Sequence, residues 1–215
     1  MRACLIELLV DSMNVKQEIK STDGVCYTQR LYGLESVWWK RWLNVQAPYR
    51  WNIRRLQPGF VLDIGCGLGR NLLHLDGNGV GVDHNPHSVE VARSRGLTAF
   101  LPEEFSRSEF NHAGRFDSIL LAHVAEHMTV PDVVPLVRQY ITLLRSGGKL
   151  IIITPQESGY ASDASHVEFM DFNKHQGIAS ELGMRTMHQY SFPFPRWVGR
   201  FFRHNEFVSV IYGAK

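Results

Sequence analysis

The sequence predicts an α/β fold: seven strands in a mostly parallel sheet, helices on both faces, and a C-terminal strand pair that resembles a β-hairpin. Two observations support this prediction. Short apolar runs of strand length alternate with helical patterns, as in parallel sheets that are covered on both faces. A glycine-rich loop follows the first of these runs, at the kind of position where such sheets bind ligands. The chain of 215 residues therefore divides into a segment 1–57 and an α/β domain 58–215.

Seven short apolar runs are the predicted strands. They are residues 60–64, 80–83, 98–101, 116–122, 149–154, 185–192 and 206–214. Three longer patterns with polar and apolar residues at helical spacing predict helices between them. These helices cover residues 86–95, 131–144 and 171–182.

The segment before the first strand is rich in aromatic residues and arginines between residues 31 and 56. Apolar residues recur there at helical spacing, Trp38 and Trp42 among them. This pattern predicts a helix that is broken near Pro48 and resumes as far as Leu56.

Composition and charge exclude several classes of protein. The net charge of +2 argues against a nucleic-acid binder. No apolar run approaches the roughly 20 residues that a membrane-spanning helix requires. The three cysteines, Cys4, Cys26 and Cys66, are odd in number and form no C-x-x-C pair, which argues against a disulfide framework and a zinc ribbon. We therefore expect a reduced, cytoplasmic protein.

The most informative motif is the loop "LDIGCGLGRNL", residues 62–72. Gly65, Gly67 and Gly69 follow a strand and precede a helix, so the backbone can turn sharply and approach a ligand. The spacing D-x-G-x-G-x-G differs from the G-x-G-x-x-G fingerprint of dinucleotide-binding folds. Asp83 ends the next strand, where a carboxylate can accept hydrogen bonds from ribose hydroxyls in either case. A nucleotide-like ligand is predicted, and Asp83 alone does not identify it.

Four blocks of sequence together resemble the class I S-adenosylmethionine-dependent methyltransferases. They are "VLDIGCGLGRNLLHL", "GVGVDHNPHSVEVAR", "FDSILLAHVAEHM" and "LLRSGGKLIIITP". The resemblance covers residues 58–190 and is greatest to the small-molecule branch that includes the quinone O-methyltransferases. It implies a Rossmann-like sheet, an N-terminal helical cap over the active site, and S-adenosylmethionine as cofactor with S-adenosylhomocysteine as product.

The resemblance also implies roles for the residues that match the family's motifs. Asp63, Gly65 and Gly67 would line the methionine end of the cofactor, with Cys66 between the two glycines as a contact or a space-filler. Asp83 would bind the ribose, and His84 would lie against the adenine. Glu103 would lie near the adenine edge, with Glu104 as the alternative residue for that role. Ala122 would lie beside the sulfur.

The segment "HVAEH", residues 123–127, matches the H-x-x-E-H pattern of inverted zincin peptidases. Because it directly follows a predicted strand, a helical peptidase site is disfavoured. Two alternatives remain for Glu126 and His127: they cap the loop and the next helix, or they face the substrate. His123 is the candidate general base, since a neutral imidazole can accept a hydroxyl proton near pH 7.

A divalent metal at this segment is a further open alternative. The resemblance carries it, because quinone-type O-methyltransferases have E-x-x-E-H here and a divalent ion has been linked to their activity. In this chain His123 replaces the first glutamate. Two imidazoles and one carboxylate would suit zinc or another transition metal better than magnesium.

Two later segments are candidate parts of the substrate site. In the predicted loop 154–172, His166 with Asp163 forms a candidate oriented-base pair, although a polar loop with a capping histidine also fits. Aromatic and basic residues interleave over 191–207. That segment is interpreted as a connection packed on the sheet, a lid over an apolar or anionic substrate, or a membrane-surface contact.

These observations predict methyl transfer to a small-molecule acceptor, aromatic or lipid-like, most consistently at oxygen. The residues after the fourth strand, "AHVA", differ from the Asn/Asp-Pro-Pro-aromatic tetrad of base-amino methyltransferases and contain no Pro-Cys pair, which argues against a nucleic-acid substrate. The competing hypotheses are a nicotinamide-dependent oxidoreductase and a non-catalytic module that binds the cofactor or its product. The oligomeric state is left open.

Overall fold

The structure is a computed structural model that describes residues 46–213. It contains one seven-stranded sheet with the strand order β3-β2-β1-β4-β5-β7-β6. The strands are β1 (Val61–Ile64), β2 (Gly79–Val82), β3 (Ala99–Phe100), β4 (Phe116–Ala122), β5 (Leu144–Pro155), β6 (Met184–Phe192) and β7 (Glu206–Gly213). The first five strands are parallel, and β7 runs antiparallel to both β5 and β6. The predicted fold class is confirmed.

The α-helices of residues 46–213 are α1 (Ala47–Arg55), α2 (Arg70–His74), α3 (Pro86–Ser94), α4 (Pro102–Ser106), α5 (Val130–Tyr140), α6 (Glu157–Ala161) and α7 (Phe172–Glu181). Among them, α3, α5 and α7 are the three longer helices that the sequence predicts between strands. Side-chain caps fix the start of two of them. The carboxamide of Asn85 accepts hydrogen bonds from the first turn of α3, and the carboxylate of Asp171 accepts one from the first turn of α7.

Alternate residues of the central strands contribute to two apolar layers, one on each face of the sheet. On β4, Ile119 and Leu121 belong to the layer that packs against α5 and α7, whereas Leu120 belongs to the layer that includes Ile53 of α1. This alternation follows from the two-residue period of a strand. Covering both faces holds the loops at the carboxyl edge of the sheet in fixed positions.

The boundaries differ most from the predicted ones at β5. This strand begins at Leu144, which pairs with Phe116, instead of residue 149, and α5 ends at Tyr140. Helix α1 begins at Ala47 with Pro48 in its first turn and ends at Arg55, which agrees with the predicted helix that resumes near Pro48 and runs to Leu56. The predicted helical residues Trp38 and Trp42 lie outside the described residues. Within 46–213, every helix falls short of the length and apolar character that crossing a bilayer demands.

Candidate functional site

The site lies at the carboxyl edge of the sheet, where the chain order reverses between β1 and β4. Parallel α/β sheets bind ligands at such switch points. The loops after β1, β2, β4 and β5 converge there. The antiparallel β7 starts at the same edge, because Glu206 pairs with Pro155 at the end of β5.

The glycine loop after β1 has a conformation that excludes larger residues. Gly65, Gly67 and Gly69 have φ values of 70°, 51° and 78°. A Cβ atom on Gly65 would lie 2.4 Å from Cγ2 of Val124. The positive φ and the close approach together require glycine at this position.

Asp83 connects the glycine loop to the loop after β2. Its carboxylate accepts hydrogen bonds from the N–H of Gly67 at 2.7 Å and from the N–H of Asn85 at 2.9 Å. The side chain is largely buried and lines a cavity at the sheet edge. Asp83 therefore shapes the loop before any ligand binds, and each carboxylate oxygen keeps a further lone pair for one.

Asp63, at the third position of β1, is fully buried beneath the same loop. Neither carboxylate oxygen has a donor in hydrogen-bonding geometry among residues 46–213. Burial and the neighbouring Asp83 raise the pKa of Asp63 from 3.8 to about 7, and the Arg70 charge and the Asn71 side chain lower it in part. Asp63 lies outside the walls of both cavities described below, so its predicted contact with the methionine end of a cofactor stays a prediction.

A cavity of about 320 Å³ opens beside the glycine loop. Its wall contains four of the predicted cofactor residues, Gly65, Gly67, Asp83 and His84. Sequence reasoning missed the apolar residues that complete the wall. They are Ile64, Val82, Pro102, Val124, Met128, Leu136 and Tyr140. Several of them lie on α5 or just before it. The motifs used in the sequence analysis follow the ends of strands, so they do not identify these residues.

The other predicted cofactor residues lie outside this wall. Cys66 is buried in an apolar cluster with Leu72, Val89 and Ala92, and burial raises the pKa of its thiol. Its side chain fills space under β2, so a cofactor contact through its backbone stays a prediction. Ala122 lies in the wall of a second cavity, described below.

Glu103 and Glu104 occupy the short helix α4. The Glu103 side chain is exposed, and its predicted place at the adenine edge stays a prediction. The Glu104 carboxylate accepts a hydrogen bond from the N–H of Leu101 and pairs with Arg93 at 2.5 Å. These contacts lower the pKa of Glu104 and give its side chain a structural role at the helix start.

A second cavity of about 260 Å³ lies beside the first. Its wall is formed by residues from α1, α2, the loops after β4 and β5, and the start of β7. They include Tyr49, Asn52, Ile53, Ala122, His123, Glu126, His127, Asp163, His166, Asn205 and Glu206. His123 and His127 line both cavities. We call the second one the acceptor cavity, because it shares this wall with the first.

His123 links two carboxylates at the end of β4. Its Nε2 lies 2.9 Å from Oε1 of Glu206, and its Nδ1 lies 3.4 Å from Oε1 of Glu126. Burial lowers the pKa of His123, but the two carboxylates outweigh burial and raise it to about 9. At neutral pH this arrangement favours a protonated donor over the neutral base expected from the sequence. The backbone is also unusual, with φ of 60° at a residue other than glycine.

His127 and His166 lie together in the acceptor cavity, with ring centroids 4.9 Å apart. Nδ1 of His127 lies 3.2 Å from the carbonyl oxygen of Ser165, and Nδ1 of His166 lies 2.7 Å from that of Tyr160. The predicted orienting contact from Asp163 to the His166 ring stays a prediction. The Asp163 carboxylate accepts hydrogen bonds from the N–H and hydroxyl of Ser165.

A buried polar network supports the acceptor cavity, and sequence reasoning missed it. Nε2 of Gln156 donates to Oγ of Ser191 at 2.6 Å and to the carbonyl of Glu206 at 3.0 Å. Nδ2 of Asn205 donates to Oε1 of Gln156 at 2.9 Å. The network fixes the connection between β6 and β7 at the sheet edge. An isolated Gln or Asn in a sequence looks the same whether it is buried or exposed, so no pattern identified these two.

The connection between β6 and β7 packs on the sheet through its polar anchor and leaves three aromatic side chains exposed to solvent. Phe194 is 46%, Trp197 67% and Phe201 79% exposed. Arg203 lines the acceptor cavity. Contact with the sheet agrees with one of the three interpretations of residues 191–207, and the lid and the membrane contact stay predictions.

The H-x-x-E-H segment does not form the helix that an inverted zincin requires. Ala125–His127 is a single 3₁₀ turn after β4. The backbone carbonyl of Glu126 accepts hydrogen bonds from the N–H groups of Val167 and Glu168. The turn therefore joins two loops at the sheet edge, and the peptidase interpretation is dropped.

Comparisons with known proteins agree with this architecture. A family model described as "Methyltransferase domain" matches residues 39–192. The ubiquinone biosynthesis O-methyltransferase of Xanthomonas axonopodis pv. citri (strain 306) is 32% identical over 110 residues, which are 46% of this chain and 45% of that protein. The enzyme of the same name from Xanthomonas oryzae pv. oryzae (strain PXO99A) is 31% identical over 102 residues, 44% of this chain and 42% of that protein. The match spans less than half the length of these curated relatives.

Solved structures show the same fold at low sequence identity. Magnesium protoporphyrin IX methyltransferase from Synechocystis PCC 6803, with bound S-adenosylhomocysteine, aligns with a TM-score of 0.64 at 12% identity. The alignment covers 93% of this chain and all of that one. An S-adenosylmethionine-dependent methyltransferase from Archaeoglobus fulgidus aligns with a TM-score of 0.56 at 15% identity, over 76% of this chain and 92% of that one.

The family match covers well over half of the chain and includes the glycine loop, Asp83 and the end of β4. It favours the methyltransferase hypothesis over the nicotinamide-dependent oxidoreductase, as the glycine spacing did. The chain therefore belongs to the methyltransferase domain family, and its fold is that of the class I S-adenosylmethionine-dependent methyltransferases.

Proposed function

We propose that this chain transfers the methyl group of S-adenosylmethionine to an oxygen atom of a small-molecule acceptor. The observation that carries the proposal is the shared wall of the two cavities. His123 and His127 line both the glycine-loop cavity and the acceptor cavity. A ligand in one cavity therefore meets a ligand in the other beside these two side chains. Transfer to oxygen is supported by the relatives, whose names describe O-methyltransferases.

The residues of the glycine-loop cavity fit the cofactor. The buried carboxylate of Asp63, whose oxygens lack a donor in good hydrogen-bonding geometry among residues 46–213, suits the ammonium group of the methionine moiety. Gly65, Gly67 and the backbone of Cys66 allow close approach of that moiety. In our proposal the remaining roles follow the sequence prediction: Asp83 for the ribose, His84 and Glu103 for the adenine, and Ala122 beside the sulfur.

The bound cofactor supplies a methyl group on a sulfonium, which transfers by in-line displacement. The protein has to align the acceptor oxygen with that methyl and exclude water, and such positioning can account for much of the acceleration. Ala122, buried at the end of β4, leaves room for the approach. His123, His127 and His166 are the proposed catalytic groups, since all three line the acceptor cavity.

The wall of the acceptor cavity contains both apolar and polar side chains. Tyr49 and Ile53 of α1 line it together with the histidines and carboxylates. An aromatic acceptor that carries a hydroxyl group fits both kinds of side chain. The same contacts support our assignment of residues 1–57 as a helical cap, because α1 is the part of that segment within the described residues.

The test begins with calorimetric titration of S-adenosylhomocysteine, with NADH as a parallel ligand. We expect one-to-one binding of S-adenosylhomocysteine and none of NADH. Methyl-labelled cofactor is then incubated with matched panels of phenols, carboxylic acids and amines, and label should appear on the phenols. Binding of NADH would contradict the cofactor assignment, and transfer to amines alone would contradict the oxygen acceptor. Binding of S-adenosylhomocysteine without transfer to any panel would favour a non-catalytic module.

A further inference from the structure

The wall of the acceptor cavity contains a cation that the methyl-transfer proposal leaves without a role. Arg70, the first residue of α2, lines this cavity together with Asn71 and His74 of the same helix. We propose that the acceptor carries a carboxylate group and that the guanidinium of Arg70 binds it. This inference rests on the proposed function, because it describes the acceptor of that reaction.

The charge of Arg70 has no direct partner within the described part of the chain. Its guanidinium forms neither an ion pair nor a hydrogen bond with another residue of 46–213. The residue is half-buried, so water compensates its charge less completely than at the surface. A guanidinium binds a carboxylate through two parallel N–H donors. A carboxylate on the ligand would therefore supply the partner that Arg70 lacks.

Asp63 offsets the Arg70 charge only in part. Burial and the neighbouring Asp83 raise the pKa of Asp63 to about 7, so about half of its carboxyl groups are protonated at pH 7. Arg70 acts on Asp63 through its charge, without a hydrogen bond between the two side chains. In the proposed function, Asp63 also binds the ammonium group of the cofactor. Arg70 therefore remains available to an anionic group of the acceptor.

The charges around the cavity are unevenly distributed. Burial and the Glu206 charge raise the pKa of Tyr49, whereas the Arg70 charge lowers it, so Tyr49 is exposed to the fields of both. Burial lowers the pKa of His74 to about 4, and the charges of Arg70 and two further arginines lower it as well. His74 is therefore neutral at pH 7. The wall carries positive charge where α2 borders it and carboxylates where β7 begins.

Arg203 is the second arginine in the described wall of this cavity. It belongs to the connection before β7 and is exposed, whereas Arg70 is half-buried. Ion pairs at exposed positions contribute little, because water and salt screen them, and burial makes the same pair stronger. Among the described residues, Arg70 lines the acceptor cavity and not the glycine-loop cavity. We therefore assign the carboxylate to the acceptor and its recognition to Arg70.

The size of the cavity limits the class of acceptor. Its volume is about 260 Å³, whereas a cavity of about 150 Å³ holds benzene. One aromatic ring with its substituents fits this space. Arg70 follows the glycine loop of β1, and His123 follows the neighbouring strand β4, so the two side chains border the same cavity from adjacent strands. A phenolic acid, with its hydroxyl group toward His123 and its carboxylate toward Arg70, satisfies both.

The test measures the binding of phenolic acids to the full chain saturated with S-adenosylhomocysteine, so it requires no turnover. The probes are para-hydroxybenzoate, para-hydroxyphenylacetate and para-hydroxyphenylpropionate, each paired with its primary amide, which keeps the shape and removes the charge. Calorimetric titration should show that at least one acid binds about 10- to 100-fold more tightly than its amide, the range of hydrogen bonds to charged groups. Equal affinity of acid and amide in every pair would overturn the proposal.

Matched variants identify the residue that recognises the acid. Arg70→Gln should abolish the preference for the acid and change the affinity for the amide by less than about twofold, because only the charged contact is removed. Arg203→Gln should reduce the preference by less than about threefold, as expected for an exposed pair. Arg107→Gln removes an exposed arginine outside both cavities and should change nothing. A preference that persists in Arg70→Gln, or that Arg203→Gln reduces more, would overturn the assignment.

The affinity for S-adenosylhomocysteine, measured alone on every protein, separates the remaining outcomes. Arg70→Gln should leave it unchanged, and an equal loss of both affinities would assign the guanidinium to the carboxylate of the cofactor and overturn the inference. If Arg70→Gln fails to fold, Arg70→Met takes its place and must lose the same preference. An unmodified chain that does not bind S-adenosylhomocysteine contradicts the proposed function. One that binds it but binds no acid or amide contradicts the aromatic acceptor, and this inference with it.

Discussion

The two cavities at the sheet edge are built in different ways. The glycine-loop cavity depends on backbone conformation, because Gly65 and Gly67 have positive φ and the N–H of Gly67 donates to Asp83. The acceptor cavity depends on side chains that meet from distant segments, such as His123 and Glu206, 83 residues apart. A site formed by a short stretch of backbone can be recognised as a motif in the sequence, whereas a site formed by contacts between distant segments cannot. The variants below test this contrast, in order of their expected effect.

The largest effect is expected for Gly65→Ala. The positive φ costs a residue other than glycine about 1–2 kcal/mol, and the overlap of the new Cβ with Val124 adds about 1–3 kcal/mol. We expect the free energy of unfolding to fall by about 2–5 kcal/mol and the affinity for S-adenosylhomocysteine to be lost. Urea unfolding and calorimetric titration measure the two effects.

Gly96→Ala is the matched control for that prediction. Gly96 has φ of 78°, and a Cβ atom there would meet nothing within 4 Å. The free energy of unfolding of this variant should fall only by the cost of the positive φ, about 1–2 kcal/mol. The variant should bind S-adenosylhomocysteine with unchanged affinity. Equal decreases in the free energy of unfolding of the two variants would show that the overlap with Val124 does not contribute to the destabilisation.

The same contrast explains which parts of the molecule the sequence could predict. The seven strands were predicted because each is a short apolar run between turn residues, and the glycine spacing indicated the ligand at β1. The contact of His123 with Glu206 was not predicted, since it requires β7 to lie beside β5 in a known register. Short helices such as α4 and α6 were missed because five residues carry too little periodicity.

The second effect concerns Asp83→Ala. The variant removes the predicted ribose partner and leaves the N–H groups of Gly67 and Asn85 without their acceptor. We expect S-adenosylhomocysteine to bind more weakly by about 1–3 kcal/mol, through lost charge-assisted hydrogen bonds. Glu90→Ala removes an exposed carboxylate from the neighbouring helix α3 and serves as the control. Unchanged affinity in a folded Asp83→Ala protein would refute the ribose assignment.

The third effect is a pH dependence that arises from Asp63. Its pKa is raised from 3.8 to about 7 in the folded chain, so the folded state binds a proton more tightly than the unfolded one between these values. Its contribution to the free energy of unfolding therefore falls as the pH rises from about 4 to about 7, and is constant above. A ligand ammonium group beside Asp63 favours the ionised carboxylate. S-adenosylhomocysteine should then bind about fivefold more weakly at pH 6 than at pH 7, because about half of the Asp63 carboxyls are ionised at pH 7 and about a tenth at pH 6.

The proton linkage can be measured directly. At pH 6, binding should release up to one proton, which appears as a dependence of the calorimetric enthalpy on the ionisation enthalpy of the buffer. Asp63→Asn should remove that dependence. A buffer dependence that persists in the variant would place the titrating group elsewhere in the cavity.

The smallest effect is expected on the acceptor side, for Tyr49→Phe. The Tyr49 hydroxyl donates to the carbonyl of His204 at 2.8 Å and ties α1 to the connection before β7. Phenylalanine keeps the edge-to-face contact with Phe192, so the free energy of unfolding should fall by only about 0.5–1.5 kcal/mol. S-adenosylhomocysteine affinity should change by less than about 0.5 kcal/mol, because the hydroxyl lies outside the glycine-loop cavity.

The KM of the Tyr49→Phe protein for the acceptor found in the phenol panel should rise. Tyr212→Phe, at the other end of β7, is the control and should leave that KM unchanged. A Tyr49→Phe protein that weakened cofactor binding as much as Asp83→Ala would mean that the two cavities are energetically one site, and the contrast between backbone and side-chain construction would not extend to their function.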